Sequence, residues 1–302
     1  MNRQGKNFTE AGLLNFIHSK VTERDKSIIV GIGDDAAVIT SHKKTILTTD
    51  TQTSGVHFRS KDTPESIATK SCISSISDIF AMGGIPKYLL LSINAPKLNK
   101  NWCVRFINQL LFDLKIYNCA LIGGNTSRSP TLSITTTVIG NASSSMLRFR
   151  KKATNGDKIY IGAPLGTVAI HQKLYGKIPN SNEWVHYSKR DVQASLLASS
   201  VIDLSDGLVE DLPKILGSKG AFIFINKIPL NHKLENSKKL SQREKFKLAI
   251  TGGEDYTLCM TSKKNLTQFG YTQIGIVNNS NKICYILNKS IFQCSHGFKH
   301  FD

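Results

Sequence analysis

Apolar positions at helical spacing open the chain: Leu13, Leu14, Ile17 and Val21 follow Thr9 as N-cap and predict a first helix. Short apolar runs over 27–32 and 45–49 read as strands. Pro64 starts a helix that runs to Met82 and stops at Gly83-Gly84, the asymmetry of Pro-first and Gly-last helix ends. Strands are expected at 88–94, 120–122 and 132–139, with a helix over 102–115. The second half begins with a strand over 158–162, then Pro164-Leu165-Gly166 and a helix. Further helices fit 191–199 and 207–216; strands fit 221–225, 256–261, 273–277 and 282–287. This alternation predicts an α/β or α+β fold. Ser143-Ser144-Ser145, ahead of the basic 148–152 segment, reads as a connection, so two domains are expected, 1–146 and 147–302.

Composition adds little until charge is considered. The 302 residues carry a formal net charge of +17. Lys and Arg are spread along the chain without a dense run, which reads as a solvated surface attractive to anions and not as a nucleic-acid footprint. No apolar stretch approaches the ~20 residues of a membrane span, and 1–8 carries no apolar signal segment. The six cysteines form no C-x-x-C pair, so buried free thiols in a reducing cytoplasm are expected. His296 and His300 stand four apart with no acidic or Cys neighbour, and no metal role is assigned to them.

Acidic residues are scarce, 22 in all, so their placement carries information. Asp34, Asp35, Asp50, Asp78, Asp203, Asp206, Glu254 and Asp255 sit in short turns flanked by Gly, Ser or Thr. One Asp beside Gly is most simply a turn or a helix cap, as Asp206 would be. Five such turns in a chain this poor in acids imply something more, because gathered carboxylates repel unless cations sit among them. Mg²⁺ suits carboxylate and water oxygens and bridges to phosphates, which points to phosphoryl transfer. The familiar nucleotide loops are absent: no G-x-x-x-x-G-K-[ST] occurs, and Gly31-Ile32-Gly33 lacks a third glycine. Gly123-Gly124-Asn125-Thr126 offers backbone N–H groups to a phosphate, and Arg150 offers a fixed cation.

In order along the chain, GIGDDAAVI (31–39), TTDTQTSGVHF (48–58), SDIFAMGG (77–84), LIGGNTSR (121–128), IDLSDGLVEDL (202–212) and GGEDYTL (252–258) resemble the thiamine-monophosphate kinases of the AIR-synthase-like superfamily. The resemblance implies a two-domain AIR-synthase-like fold, with the N-terminal sheet pairing in a homodimer. It implies ATP and several Mg²⁺ ions acting on thiamine monophosphate by direct in-line transfer. By matching position, Asp35, Thr48, Thr49, Asp50, Asp78, Asn125, Asp203 and Asp206 would serve the metals. Gly124, Asn125, Arg150 and Ser205 would meet ATP; His57, Glu254 and Phe298 would meet the thiamine phosphate. Two departures stand out: Asn125 replaces an expected Asp, and Ser75 replaces an Asn before Asp78. Rival readings are another enzyme of the superfamily, such as AIR synthase or selenophosphate synthetase, or a nucleotide-binding protein that has lost catalysis. No cysteine precedes Cys72, which argues against the selenophosphate reading.

Overall fold

The computed structural model describes residues 7–21, 26–30, 38–39, 44–143 and 145–293; Asp34, Asp35, His296, Phe298, His300 and Cys294 lie outside them. The chain divides into two compact units: 1–79, 85–143 and 180–182 form the first, and 80–84, 144–179 and 183–302 the second.

The first unit contains α1 (Glu10–Lys20), β1 (Ile28–Val30), β2 (Val38–Ile39), β3 (Lys44–Thr53), α2 (Pro64–Ala81), β4 (Ile85–Ala95), α3 (Lys100–Ile116), β5 (Ala120–Arg128) and β6 (Ser133–Ala142). Thr9 caps α1 by accepting from the Gly12 N–H at 3.1 Å. The main sheet has the order β3-β6-β4-β5, antiparallel except for the β4–β5 pair. Two-residue alternation decides its faces: Gln52 of β3 is buried and Thr48 and Asp50 half-buried, whereas Leu47, Thr49 and Thr51 are exposed. Helix α2 covers the inner face, where Ser75 Oγ meets Thr136 Oγ1 at 2.7 Å, and α3 joins it through Thr69 donating to Asp113 at 2.7 Å. An α2 as rich in serine as 71–77 is buried without orphaned hydroxyls because several bond back to the preceding turn. Ser71 donates to the Ile67 carbonyl at 2.9 Å and Ser77 to that of Ser74 at 2.8 Å.

Helix α2 ends as expected at Gly83. Its φ is +74°, and a Cβ there would lie 2.1 Å from the Met146 carbonyl oxygen, which only glycine tolerates. The strand expected over 120–122 is longer than the sequence indicates: 123–126 also belong to β5, which runs on to Arg128 beside β4.

The second unit contains β7 (Lys158–Ile161), α4 (Thr167–Tyr175), α5 (Lys189–Leu196), β8 (Ser200–Asp203), α6 (Leu208–Leu216), β9 (Gly220–Phe224), α7 (His232–Glu235), α8 (Gln242–Thr251), β10 (Leu258–Ser262), β11 (Thr272–Asn278), β12 (Ile283–Leu287) and β13 (Ser290–Ile291). Its sheet runs β13-β12-β9-β11-β7-β10-β8. Ile159, Ile161, Ile202, Leu212, Ile215, Ile223 and Cys259 are all within 2% of full burial in its core. Strand β8 and helix α8 have no counterpart among the elements expected from the sequence. Four residues are too few to display a period, and α8 carries the polar run 242–245 at its start.

Among the described cysteines, Cys72, Cys103, Cys119 and Cys259 are buried free thiols and Cys284 is half-buried. No helix among the described residues is long and apolar enough to cross a membrane.

Candidate functional site

The expected site residues fall in both units. In the first, β3 and α2 bring Thr48, Asp50 and Asp78 together. The Thr48 hydroxyl donates to Asp78 Oδ2 at 2.6 Å, and Ser75 Oγ stands 3.5 Å from Asp50 Oδ2. Burial, with the neighbouring Asp78 charge adding to it and the Ser75 hydrogen bond opposing, pushes the Asp50 carboxyl up from 3.8 to about 6. Two carboxylates held side by side with a hydroxyl form a set of hard oxygen donors, which suits Mg²⁺. The described residues contain no group of three His, Cys, Asp or Glu able to hold a metal, so this is a pair, and the expected third acid, Asp35, lies outside them. Ser75 bridges Asp50 and Thr136 and belongs to the same network.

Thr49 lies elsewhere. Its hydroxyl is on the opposite face of β3, bonded to Thr137 at 3.0 Å, so it does not join Thr48 and Asp50 through its side chain. Asn125 sits in register with Ser92, which pairs with Thr135, which pairs with Thr51. Asn125 is exposed and on the edge strand. Three strand spacings separate β3 from β5, roughly 14 Å, so one chain does not bring Asn125 to Asp50. Gly124 is required for packing: a Cβ there would lie 1.8 Å from the Leu91 carbonyl oxygen.

His57 closes a tight turn after β3. Its N–H donates to the Thr53 carbonyl at 2.9 Å, and its ring Nδ1 accepts from the Thr53 N–H at 3.0 Å. The ammonium of Lys70, fully buried on α2, donates to the His57 carbonyl. Nothing in the sequence marked Lys70, because a lysine reads by default as a solvated charge.

In the second unit two loops lie against each other. Glu254 N–H donates to the Ser205 carbonyl at 2.7 Å, and Tyr256 N–H to that of Leu204 at 2.8 Å. Glu254 and Tyr256 hold φ of +66° and +51°, conformations that non-glycine residues adopt at a cost of about 1–3 kcal/mol and that gather at functional loops. Asp203 ends β8 in a buried position, and Ser205 and Asp206 are half-buried. The Asp206 carboxylate is engaged by Lys214 Nζ at 2.6 Å, which also meets Asp211 at 2.7 Å. Asp211 is 1% exposed, and burial raises its pKa, while its bonds with Lys214 work in the other direction. Burial works against the Lys214 charge, yet the two carboxylates carry its pKa above the ordinary value. Spacing i, i+3 was the available signal for the Asp211–Lys214 pair. Asp255, beside Glu254, has the plainer role of a cap: its carboxylate accepts from the Gly166, Thr167 and Val168 N–H groups at the start of α4, at 2.7, 2.9 and 3.4 Å. Burial nevertheless pushes it up to about 7. Arg150 is exposed in the turn before β7.

Comparison by sequence points to one family. The profile described as AIR synthase related protein, N-terminal domain, matches residues 33–142. A thiamine-monophosphate kinase of Buchnera aphidicola subsp. Acyrthosiphon pisum is 34% identical over 98% of this chain and 99% of its own length. That of Haemophilus influenzae is 36% identical over 78% of this chain and 76% of its own. Among solved structures, a thiamine-monophosphate kinase from Stenotrophomonas maltophilia superposes with a TM-score of 0.81 at 25% identity, covering 96% of this chain and 99% of that one. A structure of AaThiL complexed with AMPPCP and TMP superposes with a TM-score of 0.73 at 28% identity, covering 97% of each chain.

Proposed function

The chain belongs to the thiamine-monophosphate kinase family, and from that premise we propose that it transfers the γ-phosphoryl group of ATP to thiamine monophosphate, yielding thiamine diphosphate and ADP. The observation that carries this reading is the similarity to a kinase of this name over 98% of the chain. A bond forms between an acceptor phosphate oxygen and the γ-phosphorus as the bond to the β,γ-bridging oxygen breaks, in one in-line step. Two polyanions must meet, so positioning and charge neutralisation dominate the catalysis.

Thr48, Asp50 and Asp78, with Asp35, would hold Mg²⁺ in the first unit, and Asp203 and Asp206 in the second. When bound, the ions neutralise phosphate oxygens and align donor with acceptor. The protein's own groups do the rest. Ser75 and Thr48 orient the two carboxylates. Lys214 competes with any cation for Asp206. Arg150, Ser205, Gly124 and Asn125 are assigned to ATP; His57, Glu254 and Phe298 are assigned to the thiamine phosphate.

A homodimer through the open face of the β3-β6-β4-β5 sheet completes the proposal, in a cytoplasmic setting that keeps the thiols reduced. On that face Leu47 is 66% exposed, and Thr49–Thr137 and Thr51–Thr135 pair hydroxyl to hydroxyl.

The test is a coupled assay of ADP release with thiamine monophosphate, thiamine and an aminoimidazole ribonucleotide precursor, with thiamine diphosphate identified by chromatography. Turnover with thiamine monophosphate alone supports the proposal. Turnover with the precursor assigns the chain to the AIR-synthase reaction, and none with any of the three favours the non-catalytic reading.

A further inference from the structure

The loop that joins β8 to α6 closes on itself through one acid and one lysine. Asp211 Oδ2 accepts from the backbone N–H groups of Asp206 and Gly207, at 2.9 and 3.1 Å. The other oxygen, Oδ1, holds Lys214 Nζ at 2.7 Å, and the same ammonium bonds Asp206 Oδ2 at 2.6 Å. Asp206 is thus tied by its backbone and by its side chain to one carboxylate. That anchor is rigid: the Asp211 side chain is 1% exposed, against 37% for Lys214 and 31% for Asp206. Gly207 makes the turn with φ +104°, and a Cβ there would meet the Gly252 carbonyl oxygen at 3.0 Å.

This ring of bonds treats the two oxygens of Asp206 differently. Oδ2 is committed to the ammonium, while Oδ1 has no hydrogen-bond partner among the described residues. A carboxylate can meet a metal through one oxygen or through both. Mg²⁺ holds a near-octahedral shell at about 2.0–2.1 Å, keeps several waters, and needs one oxygen from a carboxylate. Ca²⁺ gathers about six to eight oxygens and gains from a carboxylate that supplies two. A lysine on Oδ2 leaves the first mode open and blocks the second. Its charge, by contrast, repels both divalent ions alike.

We propose that Lys214 sets the metal preference of the second unit: by holding Oδ2 it confines Asp206 to one-oxygen coordination through Oδ1, which admits Mg²⁺ and disfavours Ca²⁺. The proposal rests on the kinase reading for Asp206 being a metal ligand, but not for the clamp upon it. Lys214 acts through Asp206, as a positioning residue.

Calorimetric titration of Mg²⁺ and of Ca²⁺ without nucleotide tests it. The parent is D78A, which breaks the first-unit pair, and D78A/D206N identifies the heat that belongs to Asp206. In D78A/K214M both ions should bind more tightly, with the gain for Ca²⁺ exceeding that for Mg²⁺ on the order of ten-fold. D78A/K214R keeps a cation on Oδ2 and should keep the parent's ratio of the two affinities. Equal gains for both ions show that Lys214 acts through its charge alone and overturn the proposal. Unchanged affinities in K214M, or a D206N variant that binds both ions as its parent does, also overturn it. ADP release from wild type with thiamine monophosphate is measured separately. Its absence refutes the kinase reading and leaves the ratio of the two ions to judge Lys214. Should K214M not fold, K214A provides the same comparison.

Discussion

The two units gather acids in opposite ways. In the first, Thr48 bonds Asp78 and Ser75 stands beside Asp50, and burial together with the Asp78 charge raises the Asp50 pKa to about 6. In the second, Asp206 and Asp211 share the ammonium of Lys214 at 2.6 and 2.7 Å. In the first cluster the Asp78 charge raises the Asp50 carboxyl; the second brings its own counter-ion. Repulsion that the fold itself leaves in place is what a divalent cation relieves. The difference therefore teaches which acids are arranged for an external ion and which are first arranged for the fold.

The largest effect should come from the Asp50–Asp78 pair. Asp78→Ala should lower kcat/KM by at least about a hundred-fold, because electrostatic positioning supplies most of the rate in phosphoryl transfer, with a melting temperature at or above wild type. Near-normal turnover at saturating Mg²⁺ would break the comparison on its first side.

Lys214→Met probes the second side. It leaves Asp206 and the buried Asp211 without their cation, and because Lys214 is 37% exposed the loss is discounted for solvent. We expect about 1–2 kcal/mol of destabilisation by urea unfolding, partly restored by millimolar Mg²⁺ as the ion takes the ammonium's place. No loss of stability would mean that the second cluster is not self-neutralised.

A smaller change is expected from Asn125→Asp. An added carboxylate near a cation strengthens the gross attraction by roughly 4 kcal/mol per cationic charge at an effective dielectric of ~20, most of it cancelled by solvation. The Mg²⁺ concentration for half-maximal activity should fall a few-fold. If instead it stays the same or rises, position 125 on β5 serves no ion.

Legibility in the sequence followed the length and period of each element. Helix α2 was plain because Pro64 and Gly83-Gly84 punctuate it, and β6 because its β-branched run alternates cleanly. Strand β8 was too short to show a period, and β5 was legible only over 120–122 because Gly123-Gly124 interrupts its apolar run, although Gly124 serves close strand packing beside Leu91. Carboxylates flanked by small residues announced Asp50 and Asp78, but nothing local told which face of β3 Thr49 would take, or that Asp206 would be met by Lys214. Those facts depend on register and on partners eight or more residues away, which composition does not encode.

The central claim is that Asp50 is held in a site that costs stability until a cation arrives. Its folded pKa lies above the unfolded value, so the folded state binds the proton more tightly; stability falls as pH rises from about 4 through about 6, and the cost is complete above that. Urea unfolding of wild type and Asp50→Asn at pH 4 and pH 8, with and without Mg²⁺, measures this directly. The account predicts that the Asn variant matches wild type at pH 4, exceeds it by about 2 kcal/mol at pH 8 without the ion, and loses that advantage when Mg²⁺ stabilises the wild type alone. An Asn variant weaker than wild type at pH 8 without Mg²⁺, or equal stabilisation of both proteins by the ion, would contradict it.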